Sequence, residues 1–554
     1  MTVRNIPLQH DRRQAGSAYA VPATYARLRR MCAPLFALAL CATTATAAPP
    51  AFRGGLYQGT VDAAGELSPA QVRFTRAGTG WTAQVQIAGR AEALPATVAI
   101  HDRRVQLDLP GPNGPLACQG ELREHAIVAT AAARDCRLEL VAAQDGTLAQ
   151  TLAGGWRDAD GHVYAIARMG DTPQPLWFDY RTGDVRAVVE RDGALHFGPG
   201  TGTLWPRHAS LVPKGDALWL RPAKGGAARR LERLPIVEQP LAWTAGDATL
   251  KGTLLLPAAL PHDARVPVVV FTHMSGAGER DAYRQFAYFF LARGIGALIY
   301  DRRGSGESGG TEATAGMHRL ADDAVAAIDA LKAQPHVDAT RIGTFGHSQG
   351  GWIAPIAAAR SPAIAFVIAQ SAPGMSPAQQ EIYRVGQSAR AAGLDEAEIA
   401  AAIDYETRLM EWVRSGKGRE QIHALAKANA NAHWARFVEL REDLPAEPSA
   451  RSQTFWLFDP RPDLERVRVP ILLIHGDRDA YVPVEESRAI LRKALADAPA
   501  EFQLLPRAAH GLWLGETDSG REAMHSPGLH PDYWPLLLKW LQQQGLAPSR
   551  NPNA

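Results

Sequence analysis

The chain reads as an α/β protein: a mostly parallel sheet with a helical insertion, preceded by an all-β region. Three observations predict this. Between about 236 and 546, apolar β-branched runs such as VPVVVFTHM alternate with helical patterns, and such alternation builds βαβ units. Residues 50–235 instead carry short alternating segments (AQVQIAG, ATVAIHD, RVQLDLP, CRLELVA) divided by Gly, Pro, Asp and Asn turn signals. Between 372 and 468 the alternation stops and amphipathic helical stretches take over.

Taken in order, the first 48 residues do not read as fold. Arg27, Arg29 and Arg30 precede the apolar run MCAPLFALALCA, and TTATAAPP follows. That is a signal peptide, with cleavage expected near Ala47 or Ala48 and an extracytoplasmic, periplasmic or secreted, mature protein. The run is too short for a bilayer span, which needs about 20 apolar residues, so no stable membrane insertion is expected after its removal. Cys32 and Cys41 leave with it. Cys118 and Cys136 remain, an even pair expected to form a disulfide in an oxidising compartment.

Two β-rich accessory modules are expected next, at 49–145 and 146–235. They are read as sandwich- or barrel-like, with Trp156, Trp177, Trp205 and Trp219 in their cores rather than as sugar platforms. ATLKGTLLLPA reads as a strand pair. The first half of the α/β core covers 236–371, and the helical cap or lid 372–468. There RLMEWVRSGKGREQIHALAKA and ANAHWARFVELREDL read as helices. The second half covers 469–546, and 547–554 is expected to be a disordered tail. A net charge of +2, with 59 basic against 57 acidic residues in 554 and no long basic block, argues against a nucleic-acid partner.

The chemistry gathers around RIGTFGHSQGGW, residues 341–352. Gly346-His347-Ser348-Gln349-Gly350 fits G-x-S-x-G, between a buried strand and an Ala-rich helix. A tight strand-to-helix turn forces the serine into unfavourable backbone geometry, and the flanking glycines leave room for it. Ser348 is the expected nucleophile. A serine hydroxyl needs a base held by a third group, and in enzymes built this way the order is Ser, acid, His. HGDRDAYVP follows the strand ILLI and offers Asp479, with Asp477 read as a turn residue. His510, in RAAHG after the strand EFQLLP, is the expected base; His525 and His530 lie on a later loop. For the oxyanion hole the expected donors are the backbone N–H groups of Gln349 and Ser275, with Met274 as runner-up for the second.

GHSQGG, GDRDAYVP and AAHG resemble the α/β-hydrolase superfamily over roughly 236–546. HMSGAGERD is similar to the HGSG-x-x-DRD loop of secreted serine carboxylesterases with an N-terminal β domain. YDRRGSGESGG is similar to the D-x-R-G-x-G-x-S turn of those esterases and of prolyl-peptidase-like relatives, where Arg302 or Arg303 would pack or pair. Met274 departs from the usual Gly after His273. The resemblance implies a serine hydrolase acting on a small-molecule acyl ester through an acyl-enzyme, with no cofactor and no metal. A serine peptidase of prolyl-oligopeptidase or aminopeptidase type, and a non-catalytic binding protein on the same scaffold, are the alternatives. Oligomeric state and acyl specificity are not legible.

Overall fold

The computed structural model describes residues 52–548, apart from 64–65, 88–91, 111–115, 130–135, 171–174, 259, 277, 313–314, 442 and 517–524. The expected signal peptide and most of the expected tail lie outside the described residues.

The first all-β part is a closed barrel of β1 (Gly55–Ala63), β2 (Glu66–Ala77), β3 (Gly80–Ile87), β4 (Leu94–His101), β5 (Arg104–Leu109), β6 (Leu116–Arg123), β7 (Ala126–Val128) and β8 (Cys136–Ala142). Period-2 alternation sets its inside. In β5, Val105, Leu107 and Leu109 are buried between Arg104, Gln106 and Asp108. β1 pairs with β8 to close the ring, Val61 opposite Leu138. At Gly120 a Cβ would come within 2.4 Å of Ile127, so β6 can pass β7 closely only as glycine. Cys118 and Cys136 are bonded to one another inside this core.

A helical turn, α1 (Leu148–Thr151), leads into a second closed barrel: β9 (Gly154–Asp158), β10 (Val163–Ala167), β11 (Leu176–Asp179), β12 (Val185–Arg191), β13 (Ala194–Phe197), β14 (Ala209–Lys214), β15 (Ala217–Pro222) and β16 (Arg229–Arg233). Trp156 and Trp177 are core residues, and Trp177 stacks between Tyr164 and Phe197 at 5.0 and 5.8 Å. Trp219 is half-buried on β15, and half-buried Trp205 packs beside His125 of the first barrel. β10 and β11 are buried on both faces. Phe178 of β11 and Tyr180 just after it share a core with the α/β part.

That part is an eight-stranded sheet: β17 (Ile236–Ala245), β18 (Ala248–Pro257), β19 (Val266–Thr272), β20 (Gly296–Tyr300), β21 (Val337–His347), β22 (Phe366–Gln370), β23 (Ile471–Gly476) and β24 (Ala500–Leu505), in the order β17-β18-β20-β19-β21-β22-β23-β24. β18 runs antiparallel to both its neighbours, β17 and β20, and the pairs from β20 to β24 are parallel. ATLKGTLLLPA is therefore one strand, β18, and its hairpin partner is the preceding segment 236–245. The helices are α2 (Arg284–Leu291), α3 (Met317–Leu331), α4 (Gln349–Arg360), α5 (Pro377–Ala391), α6 (Glu396–Ser415), α7 (Arg419–Ala428), α8 (Ala450–Trp456), α9 (Arg461–Leu464), α10 (Val484–Ala494) and α11 (Tyr533–Gln543).

β19 is buried throughout because both faces are covered. Val269 and Phe271 meet α2 and α11, whereas Val268 and Val270 meet α3 and α4. The helical insertion, α5 to α9, lies between β22 and β23. Ser376 and Asp395 start α5 and α6 with capping boxes. The stretch expected as one helix over 408–428 is two, because Gly416 takes φ 71° at the end of α6. ANAHWARFVELREDL forms only a short 3-10 turn, His433–Phe437. Among the described residues no helix is long and apolar enough to cross a membrane.

Candidate active site

Ser348 sits between the last residue of β21 and the first of α4. Its backbone has φ 55° and ψ −116°, a conformation that costs about 1–3 kcal/mol for a residue with a Cβ. The surroundings hold it there. The Ser348 N–H donates to Gln370 O at 3.0 Å. At Gly346 a Cβ would lie 1.9 Å from Gly350 O, and at Gly350 it would lie 2.7 Å from Thr272 O. Both glycines are steric requirements of the turn. The turn aims the serine past the carboxyl end of the sheet, where α/β proteins carry their reactive groups.

Asp479 follows β23 on a tight turn and is buried. Its Oδ1 accepts from Tyr481 N–H (2.9 Å) and Val482 N–H (2.8 Å). His510 follows β24, and its Nδ1 lies 3.0 and 2.9 Å from the two Asp479 oxygens. The imidazole reaches the serine turn: its ring lies 5.1 Å from that of His347, the residue before Ser348. Gln370 pins the same corner, with Nε2 donating to Gly511 O (3.1 Å) and Oε1 accepting from Tyr533 Oη (2.8 Å). Asp477 instead ties down a turn, its Oδ1 accepting the Arg507 N–H at 2.6 Å. His530 N–H donates to Leu512 O and its Nδ1 accepts from Asp532 N–H. His525 is exposed.

Residues 273–276 follow β19. His273 is buried, and burial pushes its pKa down to about 3, so the ring is neutral. Its Nε2 lies 2.7 Å from Tyr300 O and donates to it. The Met274 N–H donates to Tyr283 Oη at 2.9 Å, which removes the runner-up donor. Ser275 is exposed, and its N–H has no hydrogen-bond partner among the described residues. Gln349 is buried at the start of α4. Arg302 holds the loop from below, reaching Met274 O at 3.4 Å, Gly276 O at 3.3 Å and Glu312 at 2.9 Å. Arg303 turns the other way into a buried two-point pair with Asp323.

Sequence reasoning missed Tyr481, Gln370 and His347, since their contacts come from different strand ends. It also passed over Asp158, Asp160 and His162, whose ligand atoms lie within 4.8 Å of one another. There Asp158 Oδ2 already binds His162 Nδ1, Tyr164 Oη and Arg229 at 3.0 to 3.1 Å, an ion-pair knot rather than an open cation site.

Residues 265–518 match the family described as serine aminopeptidase, S33. An esterase of Thermotoga maritima, EstD, is 25% identical over 273 residues, 48% of this chain and 58% of that protein. A monoacylglycerol lipase of Mycolicibacterium smegmatis is 26% identical over 253 residues, 44% of this chain and 81% of that protein. Coverage of the other curated relatives varies, from 26% of a putative non-heme chloroperoxidase of Synechocystis to 76% of an uncharacterized 31.7 kDa protein of Escherichia coli. A solved Pyrococcus furiosus esterase, Pf2001, aligns over 56% of this chain and 89% of its own with 18% identity and a TM-score of 0.35. Strand order, the serine turn and the family match over 265–518 together give the C-terminal part of this chain the α/β-hydrolase fold.

Proposed function

We propose that the protein hydrolyses carboxylic esters through Ser348, His510 and Asp479, by way of an acyl-enzyme. His510 Nε2 takes the Ser348 proton as Oγ bonds to the ester carbonyl carbon. The carbonyl oxygen gains the negative charge and is held by the N–H groups of Gln349 and Ser275. Asp479 keeps Nδ1 protonated and favours the charged ring. The tetrahedral intermediate collapses, the bond to the alcohol oxygen breaks, and His510 gives its proton to that oxygen. Water then repeats the sequence on the acyl-serine, releasing the acid.

One observation carries this reading: a carboxylate–imidazole pair at 2.9 Å beside a serine held in a strained, glycine-flanked turn. The relatives named as esterase and lipase favour an ester over an amide. The serine aminopeptidase description of the family keeps peptide hydrolysis as the second reading. The bonded Cys118–Cys136 pair supports the expectation that the mature chain works outside the cytoplasm.

A fluorophosphonate should label Ser348, and Ser348→Ala should lose both label and turnover. Removing such a nucleophile typically costs about 10⁶-fold in kcat. A panel of p-nitrophenyl acyl esters against aminoacyl-nitroanilides separates the two readings. Turnover of nitroanilides alone rejects the ester assignment, and full activity in Ser348→Ala rejects both.

A further inference from the structure

The Asp479 turn does more than present a carboxylate. The ring of Tyr481, two residues on, lies over the His510 imidazole, centroids 4.8 Å apart and planes 25° apart. The Tyr481 N–H is itself one of the two donors fixing Asp479. Carboxylate, clamp and aromatic plate therefore move as one piece. The same turn is tied to the helical insertion, because Gln380 of α5 donates from Nε2 to Tyr481 O at 2.6 Å.

Several described groups face or adjoin the imidazole. Asp479 favours its charged form. His347, on the serine turn, is held neutral, its pKa driven well below the ordinary value by burial and then by His510. His475 lies behind Asp479, donates from Nε2 to Ala372 O at 2.9 Å, and is pushed by burial to about 4. Neither histidine stabilises a cation beside it. Arg384 of α5 faces Tyr481 but is held by Glu381 at 2.5 and 2.8 Å. The π face of Tyr481 is, by contrast, a group that favours an imidazolium.

We propose that Tyr481 is a positioning residue of the hydrolytic reaction: its ring holds the plane of His510 and stabilises the proton that the imidazole carries between attack and departure. The proposal rests on the assignment of His510 as the base. Tyr481 is 40% exposed, which a side chain placed for core packing would not be.

The test is an aromatic-against-aliphatic series, Tyr481→Phe, Tyr481→Trp and Tyr481→Leu, read by the pH profile of kcat/KM. The two aromatic variants should stay within about twofold of the parent with an unmoved acid limb. A stack on an exposed ring sets the scale for Tyr481→Leu: the acid limb should move down by about half a pH unit and the plateau should fall about threefold. Gln380→Ala should raise KM and leave the limb in place. A Tyr481→Leu profile matching Tyr481→Phe overturns the proposal, and so does a limb that moves equally in Gln380→Ala.

The imidazole can also be titrated by NMR in Ser348→Ala protein, with and without Tyr481→Leu. This needs no turnover and reports folding in the same spectra. Equal pKa values in the two proteins refute the stacking role even where the esterase assignment stands. A half-unit difference supports it even where the substrate proves to be a peptide.

Discussion

Replacing Glu406 by glutamine should make the helical insertion more stable at pH 8 and leave it unchanged near pH 4.5. Glu406 occupies the apolar stripe of α6, in step with Ile399, Ala402, Leu409 and Val413, and is 3% exposed. Two ion pairs flank it, Arg384 with Glu381 and Arg441 with Glu439, so three carboxylates share two guanidinium groups. Burial, then the charge on Glu381, raises the Glu406 pKa from 4.5 to about 7. The folded value exceeds the unfolded one, so the folded chain binds the extra proton between these limits. Its contribution is intact below pH 4.5, falls as pH rises to about 7, and is level above that. At 1.36 kcal/mol per pH unit the full cost is about 3 kcal/mol. Glutamine has no charge to desolvate and should recover most of it. Hydrogen exchange of α5 and α6 amides, corrected for intrinsic rates, reads this local stability. Parent protection should fall between pH 5 and 8, while that of Glu406→Gln should stay flat. Equal pH dependence in the two proteins, or weaker protection of the variant at pH 8, would refute the reasoning.

Two further outcomes concern stability elsewhere. Asp323→Ala removes the buried partner of Arg303, each being 2% exposed, and leaves it the exposed Asp247 at 3.2 Å as its carboxylate partner; the change should cost about 3 kcal/mol in urea unfolding, while Arg303→Met with Asp323→Leu should recover most of it. Reducing the Cys118–Cys136 bond, which spans 18 residues, should cost the first barrel about 3 kcal/mol, seen as faster exchange of β6 and β8 amides under reductant; unchanged exchange would show that the barrel does not depend on it.

The parallel strands were legible because burial on both faces leaves continuous apolar runs, as in β19 and β20. The barrels were legible as β structure but not as closed rings. Closure depends on register, such as Val61 opposite Leu138, and no local pattern encodes a pairing between first and last strands. The hairpin of β17 and β18 was misplaced for a related reason: β17 faces solvent along much of its length and gave no apolar run to read. The break at Gly416 could have been found from SGKG, a C-cap signal inside an otherwise helical pattern. At the site, G-x-S-x-G is local and was readable. Asp479 and His510 were readable as residues following strands. Tyr481 was not, because its stacking depends on how two separate strand ends approach.

The seam between the second barrel and the hydrolase has a consequence for synthesis. Tyr180 packs edge-on against Trp534 of α11 at 4.9 Å, with Phe289 of α2 beside both, and Arg157 of β9 donates to Ala292 O just past α2. A chain emerging from the ribosome can complete both barrels early, since each closes on itself. The outer wall of the second barrel must then wait, with Phe178 and Tyr180 uncovered, until the last helix arrives. A truncation that removes α11 would thus leave a sticky flank on a domain far upstream, and the yield of folded protein would be governed by residues that touch no reacting atom.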